Sequence, residues 1–285
     1  MNMDGLVPEM TDLSSRLLDF SVAKSLTMCT GNVVRRSNST RRHPVTPEQE
    51  ILDCIKAALG EWVSKINRDQ VELKALAQHA VCSLMQDNER IGAKEREDIK
   101  LSAKLFIYRF EPGMIKESAS RACLELGVTQ LDSVILALPP LSGGECRSLE
   151  ELQPPWEEME ALVQEKKVSS IGVSDLDHQL LEALCLKAQV QPSSCQVNLA
   201  SCCVIPPDLT TFASENNIQL LTHNDPTDIL PLGPFQDALG ASVRGPGTAQ
   251  WAPRWILRYS AVIKNRGIIK SKGYVVKAER AAAHY

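Results

Sequence analysis

No run of apolar residues in this chain approaches the roughly 20 that a membrane-spanning helix requires. Basic residues are not in excess: the formal net charge is −4, which argues against a nucleic-acid partner. The opening MNMDGLVPEMTDL carries acids and no apolar core, so it does not read as a secretory signal. There is no Cys-x-x-Cys pair, and His43, His79, His178, His223 and His284 are scattered, so no structural metal site is expected. Neither Gly-x-Gly-x-x-Gly nor a P-loop occurs, so a Rossmann dinucleotide fold and P-loop ATP chemistry both lack their motif. The nine cysteines, an odd number without an export signal, are expected as reduced thiols, which points to the cytoplasm. Cys202-Cys203 cannot bridge to each other without strain. The plain reading makes them small buried hydrophobes at a strand end, and the sharper one makes them redox-sensitive thiols facing a partner.

What is present is a 44% apolar chain of 285 residues, enough for one large core and near the size of an α/β barrel. Residues 1–46, with Arg35-Arg36 and Arg41-Arg42, read as a partly flexible arm containing a first strand at Ser25–Met28. Residues 47–285 read as a single domain. Thr46-Pro47-Glu48-Gln49-Glu50 is a helix start with an N-cap, proline at the first position and early acids. Ile51, Ile55, Ala58, Leu59 and Trp62 then share one face as far as about residue 66. A strand or second helix is expected near Ala80–Leu84. Strands follow at 99–107, 133–138, 168–174, 194–199 and 218–222, with helices at 114–125, 148–166, 176–187 and 207–215. A Pro- and Gly-rich loop at 231–248, a helix from Pro253 to about Asn265 and a last strand at 267–271 complete the reading. About eight strands alternating with helices predict a (β/α)8 TIM-type barrel.

Three strings carry a resemblance to the aldo-keto reductases. Ile171-Gly172-Val173-Ser174-Asp175 is similar to that family's Ile-Gly-Val-Ser-Asn, and Arg96–Leu105 to its Arg-Glu-Asp-Leu-Phe-Ile-Thr-Thr-Lys-Leu. Leu131–Pro139 resembles Leu-Asp-Leu-Tyr-Leu-Ile-His-Trp-Pro. The resemblance places Lys104 on the catalytic lysine and Ala137 on the catalytic histidine. The Asp-x-Ala-x-x-Tyr-Gly segment that supplies the proton-donating tyrosine is absent, and residues 30–107 hold no tyrosine. It implies a better-kept NADP(H) shell: Ser174 and Gln196 on the nicotinamide carboxamide, with Lys270 and Ser271 of Ile268-Ile269-Lys270-Ser271 on the 2′-phosphate. Asp175 stands for the family's asparagine and His223 for its ring-stacking tyrosine. An NADPH-dependent oxidoreductase using Tyr108 or Tyr259 as a relocated donor, and an NADP(H)-binding sensor, are the alternative readings.

Longer strings are more specific. Asn198–Leu209, Leu220–Pro226, Leu257–Ser260 and Arg266–Tyr274 closely resemble the regulatory (modifier) subunits of glutamate–cysteine ligase. This resemblance implies a chain without catalysis of its own and without a required cofactor, binding the ligase catalytic subunit as a heterodimer. It also implies a higher apparent glutamate affinity of that partner and relief of its feedback inhibition by glutathione. Loops Cys202–Asp208 and Thr222–Pro226 are candidate contacts, and Cys202, Cys203 and Cys29 are candidates for a mixed disulfide. Trp251, Trp255 and Tyr259 are either an aromatic anchor or core.

Overall fold

The structure is a computed structural model that describes residues 18–19, 23–37, 46–65, 78–139, 147–199, 204–244 and 247–281. The first half contains β1 (Leu18–Asp19), β2 (Ser25–Cys29), α1 (Val33–Ser37), α2 (Pro47–Lys65), β3 (His79–Ser83), β4 (Ile99–Ile107), α3 (Met114–Leu126) and β5 (Leu131–Ala137). Then come α4 (Leu149–Gln164), β6 (Val168–Ser174), α5 (His178–Lys187), β7 (Ser194–Asn198), α6 (Pro207–Glu215) and β8 (Gln219–His223). The last elements are α7 (Leu232–Gly240), β9 (Val243–Arg244), β10 (Trp251–Ile263) and β11 (Ile268–Arg280).

Local chemistry explains most boundaries. The Thr46 hydroxyl accepts from the Gln49 amide at 3.2 Å and caps α2, as its sequence predicts. Ser148 and Glu151 form a reciprocal capping box that starts α4, and Gly127 ends α3 in the left-handed conformation at φ 71°. Gly172 lets β6 and β7 approach closely, because a Cβ there would sit 2.7 Å from the Ser194 carbonyl oxygen.

The expected α/β architecture is present, and β4 to β8 form its parallel βα repeat. Nine strands make one mixed sheet in the order β3-β2-β11-β10-β4-β5-β6-β7-β8. A long hairpin, β10–β11, lies between β2 and β4, antiparallel to both. As a result β2, β3 and β10 run against β4–β8, and among the described residues β3 and β8 do not pair to close the sheet. Helices α3 to α6 cover one face through Ile115, Leu126, Trp156, Leu162 and Leu184; α2 and α7 cover part of the other through Ile51, Ile55, Leu59 and Phe235. The N-terminal strand is not peripheral, since all five residues of β2 are buried between β3 and β11.

Two expectations are corrected. The helix expected at 253–265 is strand β10, and the loop expected at 231–248 contains helix α7. Trp251, Trp255 and Tyr259 recur every four residues, a spacing that fits a helical face and a strand face equally. The intervening Pro253, Leu257 and Ala261 are also buried, so burial alternates with period two, as a strand requires. A bulge between Pro253 and Trp255 then turns Trp251 to the α2/α7 side, while Trp255, Leu257, Tyr259 and Ala261 face α3. The three aromatics are therefore core.

Candidate functional site

Strands β4 to β8 deliver their carboxyl ends to one rim of the sheet, where open α/β sheets place their ligands. Lys104 lies within β4, Ala137 ends β5, Ser174 ends β6, Asn198 ends β7 and His223 ends β8. From the neighbouring hairpin, Arg258 of β10 stands in register opposite Lys104. Two cations facing each other across a strand pair repel. Asp225, two residues beyond β8, resolves the repulsion: its carboxylate accepts from Lys104 Nζ at 3.0 Å and from Arg258 Nη1 and Nη2 at 2.5 and 3.0 Å. Lys104 and Asp225 are only 4% and 3% exposed. Both cations lie over the Phe106 ring, 5.1 and 5.3 Å from its centroid.

A second layer surrounds this clasp. His223 Nδ1 lies 3.2 Å from the Asp225 amide and 3.3 Å from Asp225 Oδ2, while Nε2 faces the Asp175 carboxylate at 2.9 and 3.0 Å. Asp175 adopts φ +62°, a left-handed turn just past β6, and also accepts from the Ser174 hydroxyl at 2.8 Å and the Asn198 amide at 3.0 Å. The Asn198 side chain donates to the Asp225 carbonyl at 3.0 Å.

The electrostatics follow from this packing. Burial pushes the Asp225 carboxyl upward, but His223, Arg258 and Lys104 outweigh it and hold the group far below the ordinary range. Burial opposes ionisation of Asp175 too, and its hydrogen bonds from His223 and Ser174 more than offset that. For His223, burial acts downward while Asp175 and Asp225 act upward, and the net direction is up. Burial lowers the Lys104 pKa against the pull of Asp225.

This arrangement cannot run carbonyl reduction by the family's route. A general acid needs a pKa drawn toward neutrality and reach to the carbonyl. Tyr108, a candidate relocated donor, gives its hydroxyl to Asp228 and the Leu230 carbonyl, both at 3.1 Å, and burial with Asp228 raises its pKa far above the normal value. Tyr259 lies in β10 and donates to the Gly31 carbonyl at 3.0 Å, inside the core. Ala137 offers no imidazole, and Lys104 is clasped by Asp225.

The predicted cofactor shell is split. Ser174 and Gln196 are register partners on β6 and β7, and with Asp175 and His223 they gather at the rim. The Gln196 Oε1 is buried without a hydrogen-bond partner, which suits a carboxamide donor. Lys270 and Ser271 lie at the start of β11, where Ser271 pairs with Ala261 and Ala261 with Leu101, near the amino end of β4. They are thus at the opposite end of the sheet from Ser174, and Lys270 Nζ is 2.5 Å from Glu95. The expected last parallel strand would have brought them to the rim; the antiparallel hairpin carries them away. The residues present therefore fit a nicotinamide end and do not fit a 2′-phosphate grip at Lys270. Cys202 and Cys203 lie outside the described residues. Cys29 is fully buried with its thiol pushed up to about 12 by desolvation, so it is not an exchange-ready thiolate.

Sequence reasoning missed Asp225 and Arg258 as site residues. Both stand inside strings that carried the family resemblance, but a helical reading of 253–265 gave Arg258 no reason to face Lys104.

Comparison with known proteins shows the family. The profile of the Aldo/keto reductase family matches residues 73–224, slightly more than half of the chain. The Homo sapiens glutamate–cysteine ligase regulatory subunit is 50% identical over 264 residues, covering 90% of this chain and 94% of the relative. The Mus musculus regulatory subunit is 49% identical over 259 residues with the same coverage. Among solved structures, a Bombyx mori aldo-keto reductase in complex with NADP is 14% identical with a TM-score of 0.35, over 62% of this chain and 48% of that one. The chain belongs to the aldo/keto reductase family and, within it, to the glutamate–cysteine ligase regulatory subunits.

Proposed function

We propose that this chain is a non-catalytic regulatory subunit that binds the catalytic subunit of glutamate–cysteine ligase as a heterodimer in the cytosol. In that complex it raises the partner's apparent glutamate affinity and weakens feedback inhibition by glutathione. The observation that carries the reading is 50% identity to a curated regulatory subunit over 90% of the chain, in a fold whose rim holds Lys104 in a buried clasp with Asp225 and Arg258. No described helix is long and apolar enough to cross a membrane.

The regulation is a matter of linkage. The subunit must bind the glutamate-competent state of its partner more tightly than the inhibited state. A tenfold change in apparent affinity needs about 1.4 kcal/mol of such preference, within reach of a modest interface. Size-exclusion chromatography of an equimolar mixture tests the assembly: co-elution is expected, and separate peaks at micromolar concentration would remove the heterodimer.

A second reading, an NADP(H)-responsive subunit, has the unpaired Gln196 oxygen in its favour and the position of Lys270 against it. Titration with NADPH, followed by tryptophan quenching, decides it; an unchanged signal up to millimolar cofactor would eliminate this reading.

A further inference from the structure

We propose that the cleft at the carboxyl ends of β4 to β8 binds a small zwitterion of amino-acid or short-peptide type. The ligand's carboxylate sits on Arg147 and its ammonium on Asp177. The cleft encloses about 520 Å³, within the range of small-molecule sites, and Phe106, Leu138, Leu180 and Pro226 give it apolar walls. Its buried charges are already matched, Lys104 and Arg258 by Asp225, and His223 by Asp225 and the exposed Asp175.

Arg147 is different. It lies half-buried in the cleft wall, and burial lowers its pKa against the pull of Glu151 and Asp175. Its Nη2 donates to the Pro139 carbonyl at 2.5 Å, and no described carboxylate lies within ion-pair distance of it. A guanidinium has five N–H donors arranged for two-point binding of a carboxylate, and among the described residues the Pro139 carbonyl is the acceptor this one meets.

Asp177, also in the lining of this cleft, uses Oδ1 to cap α5 through the Leu180 amide at 2.8 Å, leaving Oδ2 for a donor, and the exposed Asp175 lines the same cleft. A simple anion would meet these acids, and a simple cation would meet Arg147. A molecule carrying both charges satisfies both ends while its carbon skeleton covers the apolar walls. The site stands on this geometry; the choice of probes rests on the regulatory reading.

The test is calorimetric titration of the full chain, without any catalytic subunit, with L-glutamate, L-cysteine and reduced glutathione in turn. Propionate and propylammonium serve as single-charge controls. Saturable binding of at least one zwitterion is expected, with neither control binding. Arg147→Met and Asp177→Asn should each weaken it about tenfold with an unchanged circular dichroism spectrum. Asparagine still caps α5, so the second variant keeps the fold. No saturation by any zwitterion up to about 10 mM, equal binding of a single-charge control, or binding indifferent to both substitutions would overturn the site. Because the partner is absent from this titration, such a result leaves the heterodimer reading standing on its own tests.

Discussion

Replacing Asp225 by asparagine removes the one carboxylate that both Lys104 and Arg258 share, at nearly constant shape. Asp225 and Lys104 are almost fully buried, and the Arg258 side chain is 20% exposed, so water restores little of the lost compensation. Stripping one partner from a buried pair costs about 3–5 kcal/mol, and two cations facing each other across β4 and β10 place this site in the upper part, roughly 4–5 kcal/mol. At about 2–4 °C per kcal/mol for a chain of this size, the melting midpoint should fall by roughly 8–20 °C at pH 7. The pH dependence has a definite sign. The Asp225 pKa is depressed in the folded state, so its contribution is present above the unfolded value near 4 and is lost as pH falls through the lower folded value. Urea unfolding of the two proteins should therefore show a gap that persists from pH 8 to pH 5, widening as His223 becomes protonated because Asp225 also raises the His223 pKa, and that closes only in acid. Adding Lys104→Met to the Asp225→Asn variant should restore part of the loss, because an uncompensated cation leaves with it. A loss below about 1 kcal/mol, or a gap already closing at pH 6, would refute the clasp as the organising element of the site.

Three further outcomes are expected. The His223 pKa is raised in the fold, so its stabilisation is complete below the unfolded value near 6.5 and fades as pH rises through the folded value; the stability gap between wild type and His223→Gln should be larger at pH 6 than at pH 8.5. Gly273→Ala would drive a Cβ into the Gly31 carbonyl and the Tyr259 hydroxyl and should cost about 1–3 kcal/mol in urea unfolding, whereas Gly60→Ala, in an open position on α2, should be stabilising by about 0.5–1 kcal/mol. Equal effects at the two glycines would contradict the packing of β11 against β10 and residue 31. Ala137→His should give no NADPH-dependent carbonyl reduction above background, because the proton donor is still missing and Lys104 is held by Asp225; measurable turnover would show that the centre is less altered than its geometry indicates.

The parallel half of the molecule is legible in the sequence to within about two residues at each boundary. Strands β4, β5 and β6 carry apolar or β-branched runs, and the capping box of α4 and the Asp177 cap of α5 mark the helices that follow, so period and punctuation agree there. The C-terminal third was not, because tryptophan and tyrosine at intervals of four satisfy two periodicities at once, and the choice between them rests on Pro253, Leu257 and Ala261. That single ambiguity propagated into the site. With 253–265 taken as helix, Lys270 and Ser271 fell naturally at the rim, and Arg258 did not. Ser174, Gln196 and His223 lie together at the rim because each ends or lies in a strand whose direction the βα repeat fixes. Asp225 carried no local signal, since a buried aspartate in a loop after a strand is recognisable only once the cations it meets are known.

The most direct test is the glutamate dependence of ligation by the purified catalytic subunit, with and without an equimolar amount of this chain. The account predicts a lower apparent KM for glutamate in the mixture and no ligation by this chain alone. An unchanged KM with a demonstrably folded chain would contradict it.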